Sequence, residues 1–472
     1  MTTSIVWIRN DLRLGDNIAL KEAVNHLREE DELLLLFHIH PELVRDFDLQ
    51  QDYFFQTVKV FNETSGPLHF IYGEEEEAFH SLFEVVTDAG DIYFNKAETG
   101  FGKKRDERVL ALLEDKGIRV HTYIDHPLHG AEEVTKKDGG LYQVFSPYFK
   151  QWQKLPKPGM QQVDRDKLSR HLTDRTEEFS SGGEKYNQLT KKPLRDWQEV
   201  GEEAALQRLA AFLDEPVYYY DEDRDIPSKD GTSLMSRYLR TGAISPRTVY
   251  HRVMQDTDGR KRQDGVESFI RELAFRDFYH MVYYNHPEAG DQELTEKFRG
   301  IPWNEDEEIF ERWKRGETGF PFIDAAMKQL NETGWMHNRA RMAVASFLTK
   351  DLLIDWRKGE RYFHQKLADY EAASNIGGWQ WAASTGTDAV PYFRVFNPVR
   401  QSERFDPHGE YIKAWIPALA DVPKTYIHEP HKMPGEEQKK AGCIIGEDYP
   451  EPMVDHKRMR ERAIEVYKQR KD

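Results

Sequence analysis

The sequence contains a single cysteine, Cys443, among 472 residues. One cysteine cannot form an internal disulfide, a multi-cysteine zinc site or a cysteine-ligated iron–sulfur cluster, so we expect no metal and a cytoplasmic protein. No apolar run approaches the roughly 20 residues that cross a bilayer. The first residues, MTTSIVWIRNDLRL, lack a basic flank followed by a long apolar stretch, so we do not expect a secretory signal.

The sequence also lacks a positive net charge: its formal net charge is −17. A general nucleic-acid coat protein would be basic overall, so the sequence excludes that class. Salt screening makes the nearest charges decisive, and any DNA binding must therefore be confined to one basic face. The length of the chain predicts two or three domains.

The first third of the chain alternates between short apolar runs and helical patterns such as Asn17–Arg28 and Lys103–Lys116. This alternation predicts an α/β domain with a doubly wound parallel sheet over residues 1–130. The expected strands are Ser4–Arg9, Glu32–His40, Leu68–Tyr72, Asp91–Asn95 and Arg119–Ile124. The dinucleotide motif G-x-G-x-x-G is absent after the first run, which argues against an NAD site. Residues Arg9–Asn17 would lie at the carboxyl edge of the sheet.

Periodicity weakens over residues 131–200, where prolines and glycines recur, and we expect an interdomain linker there. Helical patterns dominate residues 201–472 and predict a larger all-α domain. The expected helices include Glu202–Leu213, Val266–Tyr284, Phe322–Asn331, Trp335–Leu353, Glu360–Ala368 and Val454–Arg470. Nine of the ten tryptophans follow residue 150, which a large helical core would also explain.

Two helical patterns place polar and aromatic groups on one face. Glu272, Phe275 and Arg276 form one group, and the other consists of Trp335, Asn338, Arg341 and Met342. Each has an ordinary alternative: a surface ion pair for the first group and core packing for the second.

The segment from Asn375 to Trp381 is harder to explain as core. Gly377 and Gly378 each cost a helix about 1 kcal/mol relative to alanine, and adjacent glycines usually mark a turn or a close approach of the backbone. Two tryptophans, Trp379 and Trp381, follow directly. The combination predicts a wall around a planar ligand. Further upstream, Gly231-Thr232-Ser233 predicts a turn that suits a phosphate, with an ordinary helix cap as the alternative.

These segments carry a family resemblance over nearly the whole chain. The chain resembles the photolyase–cryptochrome family, most of all the class I cyclobutane pyrimidine dimer (CPD) photolyases. The matching stretches are VWIRNDLRLGDNIAL (6–20), RDIPSKDGTSLMSRYLRTGAISPR (224–247), RELAFRDFYHMVYYNHP (271–287), FPFIDAAMKQLNETGWMHNRARMAVASFLTKDLLIDWRKGERYF (320–363) and DYEAASNIGGWQWAASTGTDAVPYFRVFNPVRQSERFD (369–406).

The resemblance implies one FAD per chain, bound in a bent form by the helical domain. The implied cofactor-binding residues are Tyr220, Thr232, Ser233, Leu234, Met235, Ser236, Arg341, Asp369, Tyr370, Glu371 and Asn375. Asn375 matches the residue that faces flavin N5, and Arg341 with Asp369 matches a pair beside the flavin ring. Glu371 stands where the family often has Asp.

The implied reaction is light-driven electron transfer. Photoexcited reduced FAD passes an electron to a flipped-out dimer, the cyclobutane ring splits and the electron returns. Trp379, Trp356 and Trp303 match the chain of tryptophans that carries electrons from the surface to the flavin, and Glu272 and Asn375 complete the expected catalytic set.

The resemblance also implies a binding site for UV-damaged DNA. Its expected residues are Arg224, Glu272, Phe275, Arg276, Asn338, Arg339, Met342, Trp381 and Arg394. Phe275 departs from the family, which usually has Trp there, so we expect weaker stacking on the lesion and a higher dimer affinity for Phe275→Trp.

A second, antenna chromophore is left open. The folate type typically uses an Asn-Glu pair, and Phe101-Gly102 stands at the corresponding place. The main alternative is a cryptochrome photoreceptor without repair, which the lack of a long C-terminal tail disfavours. A (6-4) photolyase would be expected to have pocket histidines where Asn338 and Met342 lie. We expect a monomer without an obligate protein partner, associated with the nucleoid when bound to DNA.

Overall fold

The computed structural model describes residues 2–258 and 262–470. The chain divides into two compact units, which do not follow chain order. Unit 1 comprises Met1–Tyr218, Ser233–Pro287 and Ala368–Glu371, and unit 2 comprises Tyr219–Thr232, Glu288–Leu367 and Ala372–Asp472. Within the described residues, none of the helices has the length and apolar character that crossing a membrane requires.

The regular elements are numbered in chain order. The strands are β1 (Thr3–Ile8), β2 (Glu32–Ile39), β3 (Leu68–Tyr72), β4 (Ala89–Asn95) and β5 (Arg119–Tyr123). The helices are α1 (Ile18–His26), α2 (Leu49–Ser65), α3 (Glu75–Val85), α4 (Gly100–Asp115), α5 (Phe145–Trp152), α6 (Arg165–His171), α7 (Ser180–Thr190), α8 (Gly201–Asp214), α9 (Tyr220–Asp223), α10 (Ser236–Thr241), α11 (Pro246–Thr257), α12 (Gln263–Asn285), α13 (Glu307–Arg315), α14 (Pro321–Thr333), α15 (Asn338–Ser346), α16 (Trp356–Lys366), α17 (Ala372–Ala383), α18 (Pro398–Phe405), α19 (Glu410–Trp415), α20 (Gly435–Lys440) and α21 (His456–Lys468).

Unit 1 is built on a parallel sheet with strand order β3-β2-β1-β4-β5. Every residue of β1 is buried, as expected when helices cover both faces of a parallel sheet. Side chains alternate between two cores: Val6 and Ile8 pack in one core with α1 and α2, and Ile5 and Trp7 pack in the other with α3 and α4. All five predicted strands and the doubly wound class are confirmed.

The carboxyl edge of this sheet is filled by buried ion pairs. Asp125 is paired with both Arg13 and Arg247, and Arg247 also binds Asp16 through Nε at 3.1 Å. Arg9 is paired with Asp106 and its guanidinium lies 4.6 Å from the centre of the Trp7 ring. These polar groups bind one another, so they form a structural network at the edge where Arg9–Asn17 was predicted to lie.

The segment 131–200 contains α5, α6 and α7 in unit 1. Helix α7 lies along the edge strand β3, where Tyr186 stacks on Phe70 with ring centres 4.0 Å apart. A Cβ on Gly182 would fall 1.8 Å from the Phe70 carbonyl oxygen, so glycine is required for this close approach.

Unit 2 is helical in its described residues apart from isolated bridges. One local prediction is wrong there. The helix expected to begin at Trp335 begins at Asn338, after the turn Trp335–His337, and it passes into a π-helical segment, Phe347–Asp351. Of the two alternatives for Gly377 and Gly378, a turn or a close approach of the backbone, the turn is absent, because α17 runs through both glycines. A Cβ on Gly378 would meet no atom within 4 Å, so this glycine borders open space.

Candidate functional site

Helix α17 presents Asn375 to the buried carboxylate of Glu360 on α16. The amide nitrogen of Asn375 donates to Glu360 Oε1 at 3.1 Å, and its contact with the Glu360 carbonyl oxygen is longer, at 3.4 Å. Glu360 is buried, whereas Asn375 is half-buried. The sequence did not single out Glu360; its position in the matching stretch 320–363 was the available signal. The pair fixes the direction in which the Asn375 carboxamide faces.

Trp379 lies one helical turn after Asn375 and is 2% exposed. Its ring packs edge-on against Phe363 at 5.0 Å and against Trp313 at 6.2 Å between ring centres. A Cβ on Gly359 would fall 2.2 Å from Cη2 of Trp379, so α16 can approach the indole only because residue 359 is glycine. Trp313, fully buried, is an aromatic neighbour that the sequence did not single out.

The two other expected electron-transfer tryptophans have polar or surface environments. Trp356 is fully buried and its indole N–H donates to Glu293 Oε1 at 3.3 Å. Trp303 is half-buried beside the small core of Phe298, Ile301 and Tyr467. A carboxylate on Trp356 and partial exposure of Trp303 suit indoles that transiently carry positive charge.

In unit 1, the segment before α10 forms a tight polar loop. Ser233 Oγ accepts a hydrogen bond from the Met235 N–H at 3.2 Å, and Leu234 has a φ of +55°. A left-handed residue between ordinary ones turns successive N–H groups toward one point, which is typical of anion-binding loops. Ser236 Oγ donates to Asp369 Oδ2 at 2.6 Å, so the structure brings these two expected residues together.

Arg240 is a further residue of this region that the sequence did not single out. It lies one helical turn after Ser236, and its buried Nε has no hydrogen-bond partner within the described part of the chain. Burial lowers the pKa of the guanidinium, and the nearby Glu371 and Tyr370 oppose that effect. A half-buried arginine whose buried Nε is an unused donor has capacity for a polar ligand.

The remaining expected cofactor residues are half-buried. Arg341 Nε donates to the Met336 carbonyl oxygen at 2.8 Å, which ties it to the turn before α15. Tyr220 opens α9, and its ring lies 5.6 Å from the guanidinium carbon of Arg224. Thr232, Tyr370 and Glu371 are likewise half-buried.

The expected DNA-binding residues of unit 2 include a group at the start of α15. Asn338 is exposed, and its Nδ2 lies 3.9 Å from the Met342 sulfur. Arg339 lies beside them, with Nη1 3.7 Å from the same sulfur and Nη2 donating to Asp225 at 2.7 Å. The structure therefore brings Asn338, Arg339 and Met342 together.

Two further expected DNA-binding residues are Trp381, within α17, and Arg394, in the loop that follows it. Trp381 is half-buried and packs edge-on against Phe396 at 6.1 Å. Arg394 is exposed on the loop before α18. An exposed arginine on a loop is suited to contact a phosphate.

In unit 1, the expected lesion residues Glu272, Phe275 and Arg276 share one face of α12. Phe275 stacks in parallel on Phe145 of α5, with ring centres 3.3 Å apart. Arg276 turns away from solvent, because Nη1 donates to the His126 carbonyl oxygen at 2.7 Å and Nη2 contacts the His126 ring. Arg276 is thus engaged inside unit 1, and Phe145 is an aromatic neighbour that the sequence did not single out.

One group of possible metal ligands lies at the end of β2. His40, Glu74 and Glu75 place their ligand atoms within 4.8 Å of one another. The Glu42 N–H donates to His40 Nδ1 at 3.0 Å, so Nε2 carries the ring hydrogen and faces the carboxylates. A ligating histidine instead donates through its other nitrogen. The tautomer therefore favours an ion-pair cluster over a metal site.

Two family models match the sequence. The model described as "DNA photolyase" matches residues 4–165, and the model described as "FAD binding domain of DNA photolyase" matches residues 269–469. Together they cover most of the chain and fall on both compact units.

Similar proteins extend this match over the full length. A deoxyribodipyrimidine photo-lyase from Alkalihalophilus pseudofirmus is 45% identical over 468 residues, covering 98% of this chain and 97% of that protein. A solved class III photolyase from Agrobacterium tumefaciens has a TM-score of 0.87 at 32% identity and covers 100% and 98% of the two chains. An archaeal photolyase from Sulfolobus tokodaii, solved with two FAD molecules, has a TM-score of 0.81 at 31% identity and covers 99% and 100%. This chain belongs to the DNA photolyase family.

Proposed function

We propose that the protein repairs cyclobutane pyrimidine dimers in DNA by light-driven electron transfer from bound FAD. The observation that carries the proposal is the full-length relative named deoxyribodipyrimidine photo-lyase. When bound, reduced FAD supplies, after absorbing light, the electron that opens the cyclobutane ring. The protein's role is to bind and orient the cofactor and the dimer and to shield them from solvent.

The residues of unit 1 fit the polar part of such a cofactor. In the loop Ser233–Met235 the Ser233 hydroxyl oxygen accepts from the Met235 N–H beside the left-handed Leu234. The Ser233 O–H hydrogen can still be donated, which suits a diphosphate. Arg240 adds a buried donor without a partner within the described residues, and its charge complements phosphate oxygens. We assign the diphosphate to this loop and the ribityl hydroxyls to Ser236 and Asp369, with Tyr370 and Glu371 beside them.

The residues of unit 2 fit the planar part. The carboxamide of Asn375 is oriented by its hydrogen bond to Glu360. Because an amide is neutral, Asn375 would offer the flavin a polar group without a charge of its own. The open space at Gly378 leaves room for a ring system to approach the α17 backbone. We assign flavin contacts to Asn375 and Arg341, and diphosphate or ribityl contacts to Tyr220 and Thr232.

We propose that electrons pass inward from Trp303 through Trp356 to Trp379. Indole is the most readily oxidised of the aromatic side chains here, and short successive steps are faster than one long step. Glu293, hydrogen-bonded to the Trp356 indole, stabilises positive charge there. The proposal makes Trp303, the half-buried member, the residue from which solvent reductants refill the chain.

We propose that the lesion is bound out of the duplex. A dimer stacks poorly, so extruding it costs less than extruding normal bases. Trp381 and Phe275 would supply aromatic contacts, each worth about 1–3 kcal/mol per base. We assign lesion contacts to Glu272 in unit 1 and to Asn338 and Met342 in unit 2, and phosphate contacts to Arg224, Arg339 and Arg394. Arg276 is a weaker candidate for a phosphate contact, since it is bound to His126.

A second chromophore is left open by this proposal. Phe101 packs edge-on against His40 with ring centres 4.9 Å apart, and a Cβ on Gly102 would lie 2.7 Å from Ala97 Cβ. This packed corner does not offer the Asn-Glu pair of a folate site. We further propose that the protein acts as a monomer on the nucleoid in the cytoplasm, which size-exclusion chromatography with light scattering tests for its oligomeric state.

The decisive experiment is repair in light and in darkness. The purified protein with reduced flavin is mixed with dimer-containing oligonucleotide and illuminated, and intact dimers are counted by chromatography. We expect dimers to disappear in light and to persist in the dark control. Persistence in light, with flavin photoreduction working normally, would favour the cryptochrome alternative.

A further inference from the structure

The aromatic pair Phe145–Phe275 carries an inference beyond the expected lesion residues. The two rings are nearly parallel, with an interplanar angle of 10° and centres 3.3 Å apart. Phe145 is 2% exposed, whereas Phe275 is half-buried. Phe145 therefore covers one face of Phe275 from the protein interior, and the exposed part of Phe275 lies away from it.

The position of Phe145 is fixed by the helix that carries it. The carboxylate of Asp277, on α12, accepts a hydrogen bond from the Trp152 indole at 2.9 Å, which joins the far end of α5 to α12. At the near end, Phe145 packs edge-on against Phe278 at 5.7 Å. The Arg271 guanidinium lies 5.4 Å from the centre of the Phe145 ring. With both ends of α5 held, the ring of Phe145 has little freedom to move.

A phenyl side chain needs such support more than an indole does. It offers less area, and alone it rotates more freely about its outer bond. A second ring stacked on one face of the phenyl group restricts its rotation and leaves the opposite face for a base. Such parallel or offset aromatic stacks are favourable.

We propose that Phe145 is a positioning residue for lesion recognition, which acts by backing Phe275 so that the two rings form one rigid wall. The inference rests on the proposed function, since it concerns the same lesion site. It also changes the expectation for Phe275→Trp: the larger ring should raise dimer affinity only while Phe145 remains behind it.

The test compares Phe145→Leu with Phe145→Tyr in the holoenzyme. Leucine removes the flat ring and keeps most of the volume, so the Kd for dimer-containing DNA should rise about two- to tenfold, the range of one aromatic pair. Tyrosine should stay near the wild type. The Kd for undamaged DNA and the repair yield at saturating dimer should remain unchanged in both variants.

A double-mutant cycle tests whether Phe145 acts through Phe275. Phe145→Leu should weaken binding no further in the Phe275→Leu background, because the ring it supports is gone. Phe61→Leu is the matched control, as it removes a buried ring of unit 1 from the core beside α2, a cluster that contains neither Phe145 nor Phe275. Thermal midpoints and flavin absorbance verify folding of every variant.

The outcomes separate the two proposals. A wild-type protein without preference for dimer DNA would refute the proposed function itself. If the wild type does discriminate, then unchanged dimer affinity in Phe145→Leu, equal losses in Phe61→Leu, or additive losses in the double mutant would each overturn the role of Phe145 alone.

Discussion

Two polar regions of the molecule differ in whether their hydrogen-bonding and charged groups are fully paired within the protein. At the carboxyl edge of the sheet, Asp125 is held by Arg13 and Arg247, and all three are almost fully buried. At the start of α17, Asn375 has its contact with Glu360 on one side and remains half-buried, and Gly378 borders open space. The first region is closed on itself, whereas the second keeps surface for a ligand.

The difference teaches which polar clusters to assign to function. A buried charge is tolerated when opposite charges neutralise it, and such a network mainly stabilises or specifies the fold. A site must leave hydrogen-bonding groups for its ligand, and that capacity appears as unused donors or open space. By this criterion Arg240, whose Nε has no partner within residues 2–258 and 262–470, is a candidate for ligand binding, whereas the sheet edge is not.

Among substitutions in the α17 region, Trp379→Phe should have the largest effect, which is on electron transfer to the flavin. The indole is the expected first electron donor, and phenylalanine is too difficult to oxidise to replace it. We expect photoreduction of oxidised flavin to be nearly abolished, as measured by absorbance during illumination with an external reductant. Flavin content should be retained, because Phe fits the space beside Gly359.

Trp313→Phe is the matched control, since this ring also contacts Trp379. The expected route through Trp356 and Trp303 leaves photoreduction in that variant close to the wild type. A loss as large as that of Trp379→Phe would instead assign the electron route to Trp313.

Among substitutions at the carboxyl edge of the sheet, Asp125→Asn should have the largest effect, which is on stability. The amide keeps the shape but leaves the buried Arg13 without its paired carboxylate and Arg247 with Asp16 alone. Breaking such a network costs about 3–5 kcal/mol of unfolding free energy. Urea unfolding followed by circular dichroism measures it. Flavin binding by the folded protein should not change. Glu429→Gln, which breaks an exposed pair with Lys432, should cost at most about 1 kcal/mol.

The same variant should change the dependence of stability on pH. Burial would raise the pKa of Asp125, but Arg13 and Arg247 outweigh it and hold the pKa below its usual value. The stabilisation is therefore present above a pH of about 4 and is lost as the pH falls through the lowered value. Asp125→Asn should show a flatter loss of stability in acid, and an unchanged acid profile would contradict this assignment.

These two regions also show what sequence could establish. Runs such as ELLLLFHI in β2 can only be buried on both faces, so the parallel sheet was predictable from apolar spacing. The sequence left a turn or a close backbone approach open at Gly377, and the turn does not form because tertiary packing along α17 outweighs the helix cost of two glycines. Glu360 and Phe145 were missed because each contacts a residue distant in sequence, Asn375 and Phe275 respectively, and local patterns do not carry such pairs. Arg240 was missed because the burial of its Nε follows from the tertiary fold.

Glu360→Gln and Asn375→Asp should shift the midpoint potential of the bound flavin in opposite directions. Removing the Glu360 carboxylate favours a negatively charged reduced cofactor, whereas adding one at Asn375 disfavours it. Each shift should correspond to about 1–3 kcal/mol, the range of one hydrogen bond to a charged group. Spectroelectrochemical titration measures both, with the surface variant Glu308→Gln as control. Shifts of the same sign would refute the assignment of this pair to the flavin.

Arg394→Gln should have the smallest effect and extends the comparison to DNA. Arg394 is exposed, whereas Arg276 is engaged with His126, so the two arginines repeat the contrast between open and closed polar groups. Losing one phosphate contact should weaken binding several-fold and reduce the slope of log Kd against log salt by about 1. Arg276→Gln should leave that slope near the wild-type value, because its guanidinium is already bound within the protein. Fluorescence anisotropy at several salt concentrations measures both slopes, and a lower slope only for Arg276→Gln would show that exposure in the free protein does not select the phosphate contacts.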